Sequence, residues 1–412
     1  MSRRRSLTTF PAGQIKVVLF EGIHDSAKAF FERSEFTVVQ VPGALPEDEL
    51  IKHLADAHIV GIRSKTQITA KVLEHAPLLL CVGCFCIGTN QVDLEKANSL
   101  GIPVFNAPFS NTRSVAELII AEIVMLARRL GDCVKELHEH TWNKSASGCH
   151  EVRGKTVGVV GYGHIGSQVG VLAEGFGMRV LFYDIAKRLP MGNNTPVESL
   201  DDLLSQSDFV TFHVPATHET KGMIQAEHLA KMQPGTYLLN ASRGSVINLE
   251  ALAASVKSGH IAGAAIDVYP KEPRANGGGF ESPLVGLPNI VLTPHIGGST
   301  EEAQESIGEE VAASCSGFIT QGTTSTAVNF PPIEQPLRPN LHRVLNVHQN
   351  VPGVMAEILH ILAEHNANIH AQQLGTDDTI GYLLTDLDQS VSDDVKAAIA
   401  ALPTSIRTRI LY

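Results

Sequence analysis

The segment Gly161-Tyr162-Gly163-His164-Ile165-Gly166 constrains the fold of this chain more than any other. The apolar run Val157-Gly158-Val159-Val160 leads into it, and Asp184 closes the next run, Arg179-Val180-Leu181-Phe182-Tyr183. A strand, a glycine turn, a helix start and a second strand ending in an acid make a dinucleotide-binding unit. Gly161 allows the tight turn, Gly163 lets the backbone approach a pyrophosphate, and Gly166 lets the helix pack on the sheet. The helix N-terminus offers unpaired N–H groups to the phosphates. Asp184 lies about 18 residues past the last glycine, near the spacing of an acid that binds a ribose 2′-OH. A carboxylate there repels a 2′-phosphate, so NAD is favoured over NADP even with Lys187 and Arg188 close by. The unit sits in mid-chain, so the residues before it must build something else.

A chain of 412 residues is too long for one ordinary core, and two or three domains are expected. Its net charge of −11 argues against a general nucleic-acid or membrane-surface binder, so an anionic ligand needs local basic residues. No apolar run spans a bilayer; the best, Val115 to Ala127, is short and contains Glu117 and Glu122. Arg3, Arg4 and Arg5 are followed by no apolar segment, which reads as a short disordered basic tail and not a secretory signal. Cys81, Cys84 and Cys86 sit in an apolar strand-and-turn context, Leu78 to Ile87, with no nearby His or second Cys pair to complete a zinc set. Buried thiols in a reducing cytoplasm, with no metal, are the expectation.

Residues 15–107 alternate strand and helix. Strands are expected at 15–20, 57–62, 78–82 and 102–106, and helices at 47–55 and 92–99. Ser114-Val115-Ala116-Glu117 reads as a capping box opening a helix to about Leu130. Beyond the dinucleotide unit, near-continuous apolar runs at 209–212, 237–240, 264–267 and 290–292 suit a parallel sheet covered on both faces. A second long helix is expected from about Ser299 to Ile319, and Phe330 to Pro339 reads as a proline-stiffened linker. Residues 341–412 then read as strand, helix, strand, strand, helix, strand, a ferredoxin-like order in a separate domain.

Three polar residues stand at or just past strand ends: Arg243 in Asn240-Ala241-Ser242-Arg243-Gly244, Glu272 after Asp267, and His295 in Thr293-Pro294-His295-Ile296-Gly297-Gly298. Doubly wound sheets place their ligand crevice at the carboxyl ends of the strands, where these can converge. Arg243 offers a planar fork to a carboxylate and can polarise a C2 oxygen. His295 can take a hydroxyl proton as hydride leaves C2, and Glu272 would raise its pKa. Singly, each has an ordinary reading: a surface ion pair, a solvated turn residue, a buried histidine. On one crevice rim beside a cofactor motif, they point to 2-hydroxy-acid oxidation. Arg63-Ser64-Lys65 and Asn111-Thr112-Arg113 offer N–H donors and charge to a phosphate or carboxylate, or else are ordinary loop and cap residues.

These motifs resemble the D-isomer-specific 2-hydroxyacid dehydrogenase family over roughly residues 15–330. Gly83 to Asp93 and Asn106 to Glu117 further resemble the short bacterial branch that acts on 3-phospho-D-glycerate and ends in an ACT domain. The resemblance implies an α/β fold: a doubly wound NAD-binding Rossmann domain (111–298) inserted in a smaller flavodoxin-like substrate domain (1–110 and 299–330). A linker (331–340) and a ferredoxin-like ACT domain (341–412) would follow. It implies catalysis by Arg243, Glu272 and His295. NAD contacts would come from Gly161, Gly163, His164, Ile165, Gly166, Asp184, Ala241, Ser242, Arg243, Asp267, His295, Ile296, Gly297 and Gly298. Arg63, Ser64, Asn111 and Gln304 match positions that hold the substrate's phosphate or carboxylate. His348, Asn350 and Asn368 match those that bind an L-serine effector across a subunit interface, in a homotetramer. Pro42 stands where relatives carry a substrate-binding lysine. Two alternatives are open: a dehydrogenase of 2-hydroxyglutarate, glyoxylate, hydroxypyruvate or lactate, and an NAD-sensing protein-interaction module. Arg63 and the C-terminal domain argue against the first, the intact Arg–Glu–His set against the second.

Overall fold

The computed structural model describes residues 11–273 and 277–412, so the basic tail expected at Arg3–Arg5 lies outside the described residues. The chain divides into two compact units, Met1–Ser110 with Gln304–Tyr412, and Asn111–Ala303. Among the described residues no helix is long and apolar enough to cross a membrane.

In the first unit, β1 (Lys16–Phe20), β2 (Thr37–Val41), β3 (Ile59–Ile62), β4 (Cys81–Cys84) and β5 (Val104–Asn106) form a parallel sheet ordered β2-β1-β3-β4-β5. This is the flavodoxin-like winding. Strands β3 and β4 are buried at every position, as in a sheet covered on both faces. Strand β4 starts three residues later than its apolar run suggests. Leu79 and Leu80 fill the core ahead of it, and Cys81 pairs with Ile59. Strand β2 and the helix Asp25–Arg33 before it are not apparent in the sequence. As an edge strand, β2 buries none of its residues fully and shows no core-facing alternation.

The second unit holds β6 (Thr156–Val160), β7 (Arg179–Tyr183), β8 (Thr195–Pro196), β9 (Phe209–Phe212), β10 (Thr236–Asn240), β11 (Ile261–Ile266) and β12 (Ile290–Leu292). Their order, β12-β11-β10-β9-β6-β7-β8, is parallel throughout and doubly wound about β6. Helix Thr112–Ala127 covers one face, burying Val115, Ile119, Ile123 and Leu126 with Val157 and Leu239. The capping box expected at Ser114 does not form. The helix begins three residues earlier, with Asn111 in the cap position. Ser114 Oγ instead meets Thr300 Oγ1 at 2.8 Å, and Glu117 accepts from Arg113 Nε at 2.6 Å. The helix also stops short of Leu130. Arg129 turns left-handed (φ 51°), and a new helix runs Leu130–His138.

The last sheet comprises β13 (His342–Gln349), β14 (Ile369–Thr376), β15 (Ile380–Leu387) and β16 (Ser405–Leu411), antiparallel in the order β14-β15-β13-β16. With helices Val354–Glu364 and Ser392–Ala401 on one face, this is the ferredoxin-like βαββαβ arrangement. Its other face, with Leu345, Tyr382 and Leu384, shares one core with Ile15, Phe105 and Phe318. The proline-rich segment between them is no free spacer, because Phe330 and Ile333 are buried in the same core. Arg343 locks the junction. It makes a bidentate pair with Asp386 (2.6 and 2.9 Å) and donates to the carbonyls of Gln321, Gln335 and Pro336 at 2.7–2.8 Å.

Removing one member of so buried a pair leaves an uncompensated charge. Arg343→Ala is expected to lower unfolding stability by about 3–5 kcal/mol, read from the denaturant midpoint of the first unit.

Candidate active site

The glycine turn after β6 has room where a cofactor needs it. Gly161 is left-handed (φ +89°), and a Cβ there would sit 2.4 Å from the His213 carbonyl oxygen. A Cβ on Gly166 would sit 2.1 Å from the Gly161 oxygen, so helix His164–Gly175 can lie against the turn only with glycine there. At Gly163 nothing lies within 4 Å, which is the open approach a pyrophosphate requires. His164 and Ile165 open the helix at that point. Asp184 accepts from Tyr162 N and Ala186 N, both at 2.8 Å, which aims its carboxylate at the turn. Arg188, the candidate partner for a 2′-phosphate, is drawn to Asp184 at 3.5 Å. These residues fit NAD.

The ends of β10, β11 and β12 carry the reactive groups. After β10, Asn240 Oδ1 accepts from Ser242 N and Oγ, and Asn240 Nδ2 donates to Arg243 O at 3.0 Å. This tight turn fixes Arg243 and uses the polar groups of Ser242 internally; Ala241 is half-buried. After β11, Asp267 is 1% exposed. Its Oδ1 accepts from Thr293 Oγ1 (2.6 Å) and Ile296 N (2.8 Å), and its Oδ2 from Gly297 N (2.8 Å). Asp267 thereby grips both sides of His295, whose backbone is left-handed (φ 56°). Asp267, expected as an NAD contact, uses about three of a carboxylate's four lone-pair sites on this clamp.

Glu272 completes the group. Its carboxylate lies 2.9 and 3.0 Å from His295 Nδ1, and its Oε1 also accepts from Tyr269 N. The hydrogen bond to Glu272 raises the His295 pKa above its ordinary value against the pull of burial, with Arg243 opposing slightly. Burial works against the Glu272 charge, but His295, the Tyr269 amide and Arg243 together outweigh it and leave the carboxyl below its usual range. Because a carboxylate only accepts, Nδ1 carries the proton and Nε2 is left for chemistry. Arg243, Glu272 and His295 therefore form one electrostatic group.

Asn111 joins them. A Cβ on Gly298 would lie 2.4 Å from Asn111 Nδ2, so this side chain abuts the turn that carries His295. Arg63, Ser64 and Gln304 belong to the other compact unit. There the expectation of N–H donors from the Arg63 loop needs correcting. The amides of Arg63, Lys65 and Thr66 are already taken by the Glu21 carboxylate at 2.7–3.2 Å. In the last sheet, His348 is buried against Asn346 Oδ1 (2.9 Å) and Asn350 Nδ2 donates to Asp377 O (2.7 Å). Asn368 is not near them within one chain. His348 pairs with Gly381 and Ile369 with Leu387, a separation along β15 of about 20 Å at 3.3 Å per residue.

Sequence reasoning missed two residues: Glu21, a polar residue directly after an apolar strand, and Glu122, a carboxyl on the apolar face of helix Thr112–Ala127.

Residues 120–297 match the model of the D-isomer specific 2-hydroxyacid dehydrogenase NAD binding domain, and residues 345–407 that of an AHAS small subunit-like ACT domain. The chain is 53% identical to a D-3-phosphoglycerate dehydrogenase of Dictyostelium discoideum, covering 98% of this chain and 99% of that protein. It is 48% identical to the D-3-phosphoglycerate dehydrogenase of Escherichia coli K12, covering 97% and 98%. Among solved structures, D-lactate dehydrogenase from Aquifex aeolicus, complexed with NAD and lactic acid, superposes with a TM-score of 0.66 at 27% identity. That match covers 76% of this chain and 99% of that one.

The His295–Glu272 pair makes a signed prediction. A raised histidine pKa adds stability below about pH 6.5, the unfolded value, and that stability is lost as pH rises through the folded value. Glu272→Gln removes the anion, so the His295 midpoint in an NMR titration should move to lower pH. An unmoved midpoint would show that the pair is not coupled.

Proposed function

The chain belongs to the D-isomer specific 2-hydroxyacid dehydrogenase family, and from that premise we propose that it oxidises 3-phospho-D-glycerate to 3-phosphooxypyruvate with NAD, the entry step of L-serine synthesis. The observation that carries this reading is the Glu272–His295 pair, 2.9 Å apart and electrostatically coupled to Arg243, in the unit that holds the NAD cradle. The Gly161–Gly166 turn and Asp184 would hold NAD, which when bound would supply the acceptor for the C2 hydride. Neutral His295 takes the C2 hydroxyl proton at Nε2, and Glu272 stabilises the imidazolium that forms. In the reverse direction imidazolium returns that proton to the keto oxygen. Arg243 offers its guanidinium to the carboxylate and the C2 oxygen. On the family resemblance, Arg63, Ser64, Asn111 and Gln304 hold the substrate's phosphate and carboxylate. Pro42 supplies no cation where relatives have lysine, which places more of that task on Arg63.

The assembly we propose is a homotetramer. Helix Leu130–His138 buries none of its residues and exposes Leu130, Val134 and Leu137 in one stripe, followed by Trp142 at 81% exposure. Such a patch suits a second copy of the chain. Edge strand β14, with Ile369 and Leu374 exposed, offers a second self-pairing surface. Two different isologous contacts close a tetramer. The same pairing would bring His348 and Asn350 of one copy to Asn368 of another, giving L-serine a site that one chain lacks. All six cysteines are thiols, which fits a reducing cytoplasm.

With NAD and 3-phospho-D-glycerate, the wild-type chain should form NADH faster than with unphosphorylated D-glycerate. His295→Ala should lose turnover by at least about a hundredfold, the scale of general-base catalysis, while NAD binding measured by fluorescence persists. Near-normal turnover in that variant would overturn the assignment. Added L-serine should inhibit the wild type; Asn350→Ala should abolish that inhibition and leave the uninhibited rate intact. Inhibition surviving in Asn350→Ala would remove the effector site from this sheet.

A further inference from the structure

Glu21 follows β1 directly and has a left-handed backbone (φ 63°). That conformation favours glycine, so a glutamate there carries backbone strain that its side chain must offset. The carboxylate reaches across to the loop after β3. Its Oε1 accepts from Thr66 N at 2.7 Å and Arg63 N at 3.2 Å, and its Oε2 from Lys65 N at 3.0 Å. Gln91 holds the same loop from its carbonyl side, donating from Nε2 to Arg63 O at 2.9 Å and to Gly88 O at 3.1 Å. The loop Arg63–Thr66 is thus fixed through both its donors and its acceptors.

Its place in the sheet gives this fixing a purpose. Strands β1 and β3 are neighbours in the order β2-β1-β3-β4-β5, and the winding reverses between them. Ligands of such sheets bind outside the carboxyl ends of the strands at that reversal. Glu21 and Arg63 both stand at those ends. Three convergent amides ordinarily bind an external anion. Here a carboxylate of the chain itself occupies the amides of Arg63, Lys65 and Thr66, so anion recognition at this loop falls mainly to side chains.

We propose that Glu21 is a positioning residue for the substrate's anionic end, holding the loop so that Arg63 and Ser64 present their side chains in one arrangement. This deepens the phosphoglycerate reading and rests on it. In the full-length chain, Glu21→Gln replaces a double acceptor by a group with one acceptor and two donors facing three amides. Its KM for 3-phospho-D-glycerate should rise about tenfold, the scale of losing one charge-assisted hydrogen bond, with kcat and the KM for NAD within about twofold. Glu21→Gly keeps the left-handed turn without strain and should show the same KM defect, which separates the carboxylate from the backbone. Glu21→Asp, with the charge on a shorter stem, should fall between. KM values within twofold of wild type in both the Gln and Gly variants would overturn the proposal, as would a loss of kcat at unchanged KM. A wild-type chain inert towards 3-phospho-D-glycerate would instead defeat the functional reading. In that case hydrogen exchange at the Arg63, Lys65 and Thr66 amides still decides: faster exchange in Glu21→Gln supports the clamp, and unchanged exchange overturns it.

Discussion

The Asp267 carboxylate, at the end of β11, gathers Thr293 Oγ1, Ile296 N and Gly297 N, and so fixes the turn on which His295 stands. A left-handed histidine costs on the order of 1–3 kcal/mol. Hydrogen bonds to a charged group contribute about 1.5–3 kcal/mol each, so three of them outweigh that strain. All three donors converge on the Asp267 side chain. Glu122, on helix Thr112–Ala127, is as deeply buried and within electrostatic reach of it. Burial first, then the Asp267 charge, pushes the Glu122 carboxyl up to about 8. Two neighbouring buried carboxylates cannot both ionise at low cost, and Glu122 is the one that stays neutral. Of the two, it is Asp267 whose carboxylate meets three donors.

The same economy of backbone and carboxylate recurs in the first unit. A parallel sheet brings every strand to its carboxyl end on one side, where the loops are free to carry polar residues. In the second unit an aspartate after β11 fixes the turn with the base. In the first, a glutamate after β1 fixes the loop with Arg63. In both, the anion spends itself on backbone N–H groups, and in both one residue is held left-handed, His295 in the gripped turn and Glu21 on the gripping side. The ligand-facing charge is left to side chains.

Much of this was legible in the sequence because strands buried on both faces are continuous apolar runs and end where polarity begins. The runs at 157–160, 209–212 and 237–240 each give the strand expected, and Arg243 and His295 stand just beyond strand ends. The edge strand β2 was not legible, since half-exposed residues carry no core pattern. The helix start at Thr112 was misplaced because Ser114-Val115-Ala116-Glu117 has the pattern of a cap. Ser114 instead finds Thr300, a contact between residues 186 apart in sequence. Glu21 and Glu122 were missed for a related reason. Their partners, Arg63 to Thr66 and Asp267, are distant in sequence; the sheet order brings the first pair together and the packing of helix Thr112–Ala127 on β11 the second.

The C-terminal sheet shows what such long-range partners do to a domain that reads as separate. Its strands send donors to the end of helix Glu301–Gln321: Arg409 Nη2 to Ile319 O, Arg343 Nη1 to Gln321 O and Tyr382 Oη to Gly322 O. Carbonyls at a helix C-terminus are unpaired and carry the negative end of its dipole, so two guanidinium groups and a phenol are well matched to them. Arg409 also lies over the Phe318 ring at 5.3 Å. The prolines of the connecting segment then act by fitting Phe330 and Ile333 into the shared core, and their stiffness provides no hinge. His348 sits on β13, the strand that also carries Arg343, so a ligand that displaces β13 must strain the end of that helix or carry the helix with it.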